Sequence, residues 1–376
     1  MNFDLNEEQQ MLVDSIGKFL KNDYPFEIRR KLVNSELGFS AQNWKTFAEL
    51  GWLSVPFSAD NGGFGGSTVD LMLMQEQFGT ALVTEPLIPT LILGGRLIEL
   101  LGDAAQKETL LAAVIQGELQ LALAYNERIA RNNPAVVGTT AKREGDSYVL
   151  NGEKVVVLNG HAADKILVTA RTSGDTNSEN GISVFVVDAN TAGLQRKGFT
   201  TVDGLRAADV NFTNVKVPAA NRLGAEGAAF DALETVLDEA TLALCAEAVG
   251  AMEVLYKTTV DYTKTRKQFG MPIGKFQVLQ FRMVDMFMAH EQSKSMLYMA
   301  ALRSLEGRDA ARKAVSGLKV QVGKAGRKVG QEAIQLHGGM GMTDELNVGY
   351  YFKRLTAIDA LFGNVDYHLA RYARVA

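Results

Sequence analysis

Helical periodicity dominates the first 120 residues of the chain. In "NEEQQMLVDSIGKFL" Asn6 can cap a helix, and apolar side chains recur every three or four positions, the spacing of one helical face. The segments "AQNWKTFAEL" and "STVDLMLMQEQF", and a pair between about 90 and 116, repeat this pattern. The glycine-rich "SADNGGFGGS" predicts an ordered loop. Residues 1–120 are therefore predicted to form an N-terminal helical domain.

In residues 121–226 the apolar positions alternate instead, which is the period of a half-buried β-strand. "SYVLNGEKVVVLNG" places Asn151-Gly152 between two alternating runs, and this dipeptide predicts a hairpin with a type I′ turn. "DKILVTAR", "GISVFVVDA" and "ADVNFTNVKVP" are three further strand candidates. The pattern predicts a middle antiparallel β-domain.

From residue 227 onward helical periodicity returns in much longer segments. "ALETVLDEATLALCAEAVGAMEVLYKTTVDYTKTR" keeps it for more than thirty residues, and "IGKFQVLQFRMVDMFMAHEQSKSMLYMAALRSL" is comparable. Long amphipathic helices of this kind are expected to pack as a bundle. The predicted fold class is therefore α+β, in which residues 227–376 form a C-terminal domain like a four-helix bundle after the helical and β-sheet domains.

Composition and charge narrow the class of protein. The net charge is −4, the chain is 47% hydrophobic and 22% charged, and no basic run points to nucleic acid. No apolar stretch approaches the roughly 20 residues that span a bilayer, and the polar start "MNFDLNEEQQ" does not resemble a targeting signal. The single cysteine, Cys245, excludes an internal disulfide. We expect a cytoplasmic protein, and the scattered histidines predict no metal site.

A glycine cluster interrupts the last long helical pattern, in "EAIQLHGGMGMTDEL" at residues 332–346. Glycine lowers helix stability by roughly 1 kcal/mol relative to alanine, so Gly338, Gly339 and Gly341 mark a turn or a close backbone approach. One interpretation is a helix C-cap. The other is a place where a phosphate-bearing ligand meets bare backbone N–H groups. The same turn can satisfy both interpretations.

Two motifs near the C-terminus are specific: "RKQFGMPIGKFQ" at residues 266–277 and, about sixty residues later, "QLHGGMG". With "VPFSADNGGFGGS" and "LRAADVNFTNVKVPAANRLG", they make the chain resemble the acyl-CoA dehydrogenase flavoprotein family along its whole length. In that family FAD lies across a dimer interface, and both C-terminal motifs reach the neighbouring subunit's cofactor. The resemblance implies that Arg266 pairs with the FAD pyrophosphate through its guanidinium fork. It also implies cofactor contacts from Phe269, Gln277, Gln335, Gly338 and Gly339.

The resemblance implies a reaction and partners as well. In the family a carboxylate removes the α-proton of an acyl-CoA thioester while the β-hydrogen leaves as hydride to the flavin, giving the 2-enoyl-CoA. An electron-transfer flavoprotein is the expected electron acceptor. The expected assembly is a homo- or hetero-oligomer, either a dimer or a dimer of dimers.

The family's usual catalytic base is missing from this chain. The family has a glutamate 23 residues after the second glycine of the pair, and counting from Gly339 leads to Phe362. A second family position, on the first long C-terminal helix, holds Ala240. Glu239 is adjacent but about 100° round the helix, so it is expected to face elsewhere. The base is therefore unknown, and the candidates in the sequence are Glu247, Asp366 and His368.

Glu247 is the most tempting of these candidates because it is a carboxylate in an apolar helical pattern. It lies two turns beyond Ala240 on the same face, but about 10.5 Å away along the helix axis. A base must come within about 3 Å of its proton. Glu247 is therefore favoured as a buried structural acid, or as a contact deep in the acyl pocket, over a role as the base.

The β-domain also departs from the family pattern. "AYNERIARNNP" stands where the family has Thr-Glu-Pro and Gly-Ser-Asp, and residues 156–159, "VVLN", replace Trp-Ile-Thr-Asn. The half of the site that cradles a chain's own isoalloxazine thus differs from the family, while the donated half is retained. The ending "FGNVDYH" resembles the subunit without the glutamate in two-chain dehydrogenases of steroid side chains and dicarboxylyl-CoAs.

This asymmetry favours an FAD-dependent acyl-CoA dehydrogenase subunit that completes its partner's FAD site. Two alternatives stay open. One is a homomeric acyl-CoA dehydrogenase with a relocated base. The other is a flavin-dependent oxidase or monooxygenase on the same fold.

Overall fold

Helices occupy the first third of the chain in a computed structural model that describes residues 5–374. The Asn6 side chain accepts a hydrogen bond from the Gln9 N–H, and the Gln9 side chain bonds the Asn6 N–H, so the predicted cap is confirmed. The α-helices of this region are α1 (Glu7–Asp23), α2 (Phe26–Val33), α3 (Ala41–Glu49), α4 (Thr68–Ala81), α5 (Leu97–Leu101) and α6 (Ala104–Ile115).

The segment Ile88–Arg96 forms a π-helix rather than the α-helix that its periodicity suggests. It packs where side chains leave little room: a Cβ on Gly94 would lie 2.6 Å from the Leu121 Cβ, and one on Gly95 would lie 2.5 Å from the Phe57 ring. Extended π-helices are rare. The close packing explains why positions 94 and 95 are glycines. The π-helix is buried and packs against Leu121, the first residue of the sheet.

A mixed sheet follows the N-terminal helices. Its strand order is β6-β7-β3-β2-β4-β5-β8, and β1 pairs parallel with β4, whereas most other pairs are antiparallel. Its core includes a tilted contact between Tyr148 and Phe185, whose ring centroids are 4.8 Å apart. The strands are β1 (Leu121–Ala124), β2 (Thr140–Glu144), β3 (Ser147–Leu158), β4 (Lys165–Arg171), β5 (Ile182–Asp188), β6 (Leu194–Thr200), β7 (Arg206–Pro218) and β8 (Arg222–Leu223).

The prediction of a hairpin turn at Asn151-Gly152 is wrong. Both residues lie inside β3, and the turn that joins β2 to β3 lies earlier, where Glu144 pairs with Ser147. The Asn151 side chain accepts a hydrogen bond from the Asn214 N–H on β7 at 2.8 Å, next to a register shift between the strands. The dipeptide therefore marks a β-bulge, where side-chain pairing across the sheet outweighs the local turn preference.

Long helices form the C-terminal region, and a small hairpin interrupts them after α7. Helix α9 packs against α8, α10 and α11. The elements are α7 (Phe230–Thr265), the hairpin β9 (Lys267–Gln268) and β10 (Met271–Pro272), α8 (Gln277–Arg303), α9 (Arg308–His337), α10 (Val348–Ala360) and α11 (Val365–Arg374). The predicted order of a helical domain, a β-sheet domain and a second helical domain is confirmed.

The chain divides into two compact units, each with its own interior. One is helical and contains the chain up to residue 31, residues 68–83 and the chain from 241 onward; the other contains residues 32–67 and 84–240 and includes the sheet. Cys245 is buried in the helical unit, where burial raises the pKa of its thiol to about 12. Across residues 5–374, no helix is long and apolar enough to cross a membrane.

Candidate cofactor and active site

The β9–β10 hairpin presents an exposed aromatic side chain on a strained turn. Phe269 and Gly270 have φ values of +54° and +81°, as a two-residue type I′ turn requires. A left-handed conformation costs a residue with a Cβ about 1–2 kcal/mol, and the Phe269 side chain recovers little by packing because the residue is 88% exposed. Its ring meets only the edge of Phe276, with centroids 6.2 Å apart. Both features are those of a side chain that contacts something outside its own chain.

Arg266 stands at the base of this hairpin, directly after α7. Its carbonyl accepts a hydrogen bond from the Ile273 N–H at 2.8 Å, which closes the loop from 266 to 273. The side chain is exposed, and no acidic group among residues 5–374 pairs with its guanidinium. The fork is therefore available for an anion. Gln277, the first residue of α8, is exposed on the same loop-to-helix junction.

The glycine cluster separates into three roles. Gly338 ends α9 with φ +60° and ψ −138°, and its N–H donates to the Gln335 carbonyl, so the helix-cap interpretation applies to this residue. A Cβ on Gly341 would lie 2.8 Å from the Ile334 carbonyl oxygen, so packing excludes a side chain there. Gly339 has neither a positive φ nor any atom within 4 Å of a built Cβ. The space beside Gly339 is therefore open in the described part of the chain.

Tyr262 and His337 join the hairpin and the glycine turn. Their rings stack with centroids 4.3 Å apart, and the Tyr262 hydroxyl donates to the His337 carbonyl oxygen at 3.4 Å. The buried His337 ring donates from Nδ1 to the Ala333 carbonyl oxygen at 2.8 Å. Two motifs that are distant in sequence thus end at one place on the helical unit. His337 serves in packing and hydrogen bonding, as its apolar setting suggests.

The turn that holds Phe362 is built without a carboxylate. Phe362 has φ +57° and lies between α10 and α11. The fully buried Lys319 ammonium donates to the carbonyl oxygens of Asp359, Leu361 and Gly363 at 3.0, 2.9 and 2.6 Å. His368 Nε2 donates to the Phe362 carbonyl oxygen at 3.0 Å. Lys319 and His368 therefore hold the turn that contains Phe362 in place.

His368 and Asp366 are poor candidates for a base in this geometry. Burial, with the charge of Lys319 nearby, lowers the pKa of His368 to about 3, so the ring is neutral near pH 7. Its Nε2 proton is committed to the Phe362 carbonyl oxygen. Asp366 is exposed in the first turn of α11, a setting that stabilises the helix end and keeps the carboxylate hydrated.

Glu247 lies in a buried ion pair. Both carboxylate oxygens accept hydrogen bonds from Arg354, from Nε and from an Nη, each at 2.6 Å. Both residues are 6% exposed. The backbone of α7 also approaches α4 closely here, since a Cβ on Gly79 would lie 2.1 Å from the Glu247 carbonyl oxygen. A bidentate pair of this kind holds the carboxylate in place.

The alternative base position offers no acid either. Ala240 is fully buried in α7. Its neighbour Glu239 faces away, as the helical angle predicts, and accepts a bidentate pair of hydrogen bonds from Arg96 at 3.1 and 3.0 Å. Arg96 also pairs with Glu99, which accepts from the Ser58 N–H at 2.8 Å. Glu239 therefore belongs to a network that ties α7 to the loop near residue 58.

The segment "AYNERIARNNP" at residues 124–134 is anchored by a buried ion pair. Glu127 accepts from Lys154 Nζ at 2.7 Å and from the N–H groups of Gly138 and Thr139 at 2.8 and 3.0 Å. Burial lowers the pKa of Lys154 to about 8, although Glu127 opposes that shift. Lys154 also donates to Thr169 Oγ1 at 2.9 Å. These polar groups hydrogen-bond to one another, so the Glu127–Lys154 ion pair is part of the domain's own structure.

Strand β3 ends in an irregular stretch at residues 156–159. Val156 has φ +53°, an outlier for a β-branched residue, and is 40% exposed. Its N–H donates to Asp209 Oδ1 at 3.1 Å. Asn159, with φ +58°, is buried and donates from Nδ2 to the Leu121 carbonyl oxygen at 3.3 Å. The end of β3 therefore presents an aliphatic side chain, Val156, at the surface.

Three structural partners in these sites escaped prediction. Arg354 and Lys319 lie in helical segments, where a charged residue is ordinarily expected to face solvent. Tyr262 lies 75 residues from His337, the histidine that it contacts. The sequence signal for Lys319 is its position as the single charged residue in the run "VSGLKVQVG". Among residues 5–374, no three His, Cys, Asp or Glu side chains lie close enough to hold a metal ion.

Comparison with family models accounts for nearly the whole chain. Models of the N-terminal, middle and C-terminal domains of acyl-CoA dehydrogenases match residues 6–118, 122–215 and 228–376. A probable acyl-CoA dehydrogenase of Bacillus subtilis (strain 168), YngJ, is 32% identical over 356 residues, which cover 93% of this chain and 92% of that protein.

Solved structures of similar proteins share the fold. Butyryl-CoA dehydrogenase from Megasphaera elsdenii has a TM-score of 0.91 at 27% identity, covering 100% of this chain and 99% of that one. The FAD complex of PigA has a TM-score of 0.92 at 27% identity, with 100% and 98% covered. A variant of the Tcur3481-Tcur3483 steroid ACAD has a TM-score of 0.88 at 28% identity, with 98% and 97% covered. The chain therefore belongs to the acyl-CoA dehydrogenase family of FAD-binding oxidoreductases.

Proposed function

We propose that this chain is an acyl-CoA dehydrogenase subunit that completes the FAD site of an unlike partner, and that the partner supplies the catalytic carboxylate. One observation carries the proposal: the Arg266–Phe269 loop and the Gly338–Gly339 turn are joined by Tyr262 and His337 into a single exposed surface. This surface is suited to bind a ligand, whereas neither proposed base position, Phe362 or Ala240, carries an acidic side chain.

The exposed surface has the chemistry that a dinucleotide needs. Arg266 offers a planar fork suited to a pyrophosphate. Gly339 offers bare backbone with open space beside it, and Phe269 offers an exposed ring. Gln277 and Gln335 are exposed amides beside these groups. The residues fit FAD, which when bound supplies the hydride acceptor for dehydrogenation of the acyl-CoA; Arg266 would hold its pyrophosphate.

The state of the candidate bases supports the partner's role. Phe362 and Ala240 cannot accept a proton, and Glu247 is locked to Arg354 at 2.6 Å through both oxygens. A base at Glu247 would require the ion pair to break, which leaves a buried arginine without its acid. This geometry disfavours the homomeric dehydrogenase with a relocated base. The name of the similar Tcur3481-Tcur3483 steroid ACAD, which joins two components, is in line with a two-chain enzyme.

The proposal extends to the route of the electrons. A subunit of a dehydrogenase passes them to a protein acceptor, and we propose an electron-transfer flavoprotein for that role. Oxidase or monooxygenase chemistry would instead consume oxygen. Two measurements therefore distinguish these functions. A dehydrogenase reduces an electron-transfer flavoprotein in the absence of oxygen, whereas an oxidase or monooxygenase forms hydrogen peroxide or an oxygenated product in air.

Replacing Arg266 tests the cofactor assignment. In the complex co-purified with its partner, Arg266→Ala should lower the FAD-to-protein ratio, since a charge-assisted bidentate contact to the pyrophosphate is lost. Absorbance of the released flavin measures the ratio. Lys264→Ala is the matched control: it removes an exposed positive charge two residues away that pairs with Asp261. Equal flavin content in the wild type and Arg266→Ala would remove the main support for this site.

A further inference from the structure

His337 is buried directly before the glycine turn, and only one of its ring nitrogens has a partner. Nδ1 donates to the Ala333 carbonyl oxygen at 2.8 Å, whereas the buried Nε2 has no hydrogen-bond partner among residues 5–374. A buried polar atom without a partner destabilises a fold, and a leucine would fill this apolar position without that cost. A histidine offers a flat ring instead, and the Tyr262 ring stacks on it with 4.3 Å between centroids and 28° between planes.

Tyr262 contacts both halves of the proposed FAD surface. It lies about one turn before Arg266 near the end of α7, and its carbonyl oxygen accepts a hydrogen bond from the Arg266 N–H at 2.9 Å. Its hydroxyl donates to the His337 carbonyl oxygen, which belongs to the peptide group that leads into Gly338. A single residue therefore connects the arginine to the glycine turn.

The β9–β10 hairpin is anchored on its other side by Thr263. A Cβ on Gly274 would lie 3.0 Å from the Thr263 carbonyl oxygen, and the buried Thr263 Oγ1 lies 3.2 Å from the Met283 sulfur on α8. Residues 264–271, between these contacts, are all exposed. The direction of the Arg266 guanidinium therefore depends on how the last turn of α7 is held.

We infer that Tyr262 and His337 form a positioning pair for FAD: their stack fixes the Arg266 guanidinium relative to the Gly339 backbone, so that one dinucleotide meets both groups. The inference rests on the proposed function and adds two residues that are not assigned to the cofactor. If the stack is lost, the hairpin has to be ordered when FAD binds, and the free energy of that ordering weakens binding. FAD affinity then falls although both cofactor contacts are still present.

The FAD affinity of the complex of this chain with its partner tests the pair. FAD is titrated into the apo complex, and quenching of flavin fluorescence gives the dissociation constant. Tyr262→Leu and His337→Leu each remove the stack and should raise that constant about 5-fold, which corresponds to an aromatic pair of ordinary strength. Tyr262→Phe and His337→Phe keep two stacked rings and should bind FAD within about 2-fold of the wild type.

The double variant Tyr262→Leu with His337→Leu distinguishes a shared stack from two independent contributions. Because both substitutions remove the same contact, the double variant should weaken FAD binding about 5-fold, as either single variant does. Independent effects would multiply to about 25-fold. That result would overturn the positioning pair, and so would leucine variants that bind FAD like the wild type.

Tyr256 and His290 provide a matched control on the same helix, about 9 Å before Tyr262 along the axis. Their ring centroids lie 5.2 Å apart, and Nε2 of the buried His290 also lacks a partner within the described part of the chain. Tyr256→Leu should lower the urea midpoint of unfolding about as much as Tyr262→Leu does, and it should leave the FAD dissociation constant unchanged. Equal weakening of FAD binding in both variants would show a general loss of stability and overturn the positioning role.

Arg266→Ala separates this inference from the proposed function. If Arg266→Ala weakens FAD binding and the two leucine variants do not, the FAD surface stands and the positioning pair is overturned. If none of the three variants changes the FAD dissociation constant, the FAD surface is overturned, and the proposed function with it.

Discussion

Purified without a partner, this chain is expected to dehydrogenate acyl-CoA at least about 100-fold more slowly than the two-chain enzyme, measured with an artificial electron acceptor. A positioned general base contributes about 10²- to 10⁴-fold to such a rate. Phe362 and Ala240 supply none, and Glu247 is held by Arg354. Adding the partner should restore turnover, because the missing carboxylate then enters the assembly.

Glu247→Gln is the control for this expectation. If the partner supplies the base, this variant should change turnover of the complex only through stability, and the pH profile of kcat should keep its shape. A lone chain that works at the rate of the complex, and loses that activity in Glu247→Gln, would show that the base is relocated and the two-chain account is wrong.

Loss of Arg354 should destabilise the folded chain strongly. Arg354→Met leaves the Glu247 carboxylate buried without a partner, and breaking a buried pair from one side costs about 3–5 kcal/mol. Urea unfolding of the lone chain measures the loss. The double variant Glu247→Leu with Arg354→Met should be more stable than Arg354→Met alone, because no charge is then left uncompensated.

A surface pair provides the comparison. Lys328 and Asp285 lie 3.0 Å apart and are 48% and 53% exposed, so Lys328→Met should change the unfolding free energy by about 0–1 kcal/mol. An Arg354→Met chain that unfolds at the same urea concentration as Lys328→Met would contradict the structural role of the Glu247–Arg354 pair.

Periodicity predicted the order of elements because it depends on local burial. The apolar run in "DKILVTAR" and the long helical stretches after residue 227 are such local signals, and the structure has β4, buried on both faces, and α7 there. Asn151-Gly152 failed for the opposite reason. Its turn preference is worth less than the pairing of β3 with two neighbouring strands, which no local signal records.

The candidate site was predictable only where single residues carry the chemistry. Arg266, Phe269 and the glycines belong to compact motifs, so their positions follow from the sequence. The partners that hold them do not. Arg354 lies 107 residues from Glu247, and Lys319 lies 44 residues from the last carbonyl group that it holds. Such contacts arise from helix packing, and a lone charged residue in a helix does not indicate whether it is buried.

On the proposed function, this chain gives half of an FAD site to its partner, and the corresponding half of its own site differs from the family pattern. The most direct test is the flavin-to-chain ratio of the purified complex, obtained from released FAD and the protein concentration. We expect about one FAD for each pair of unlike chains, with little FAD retained by this chain alone. A lone, self-associated chain that retains one FAD per copy would contradict it.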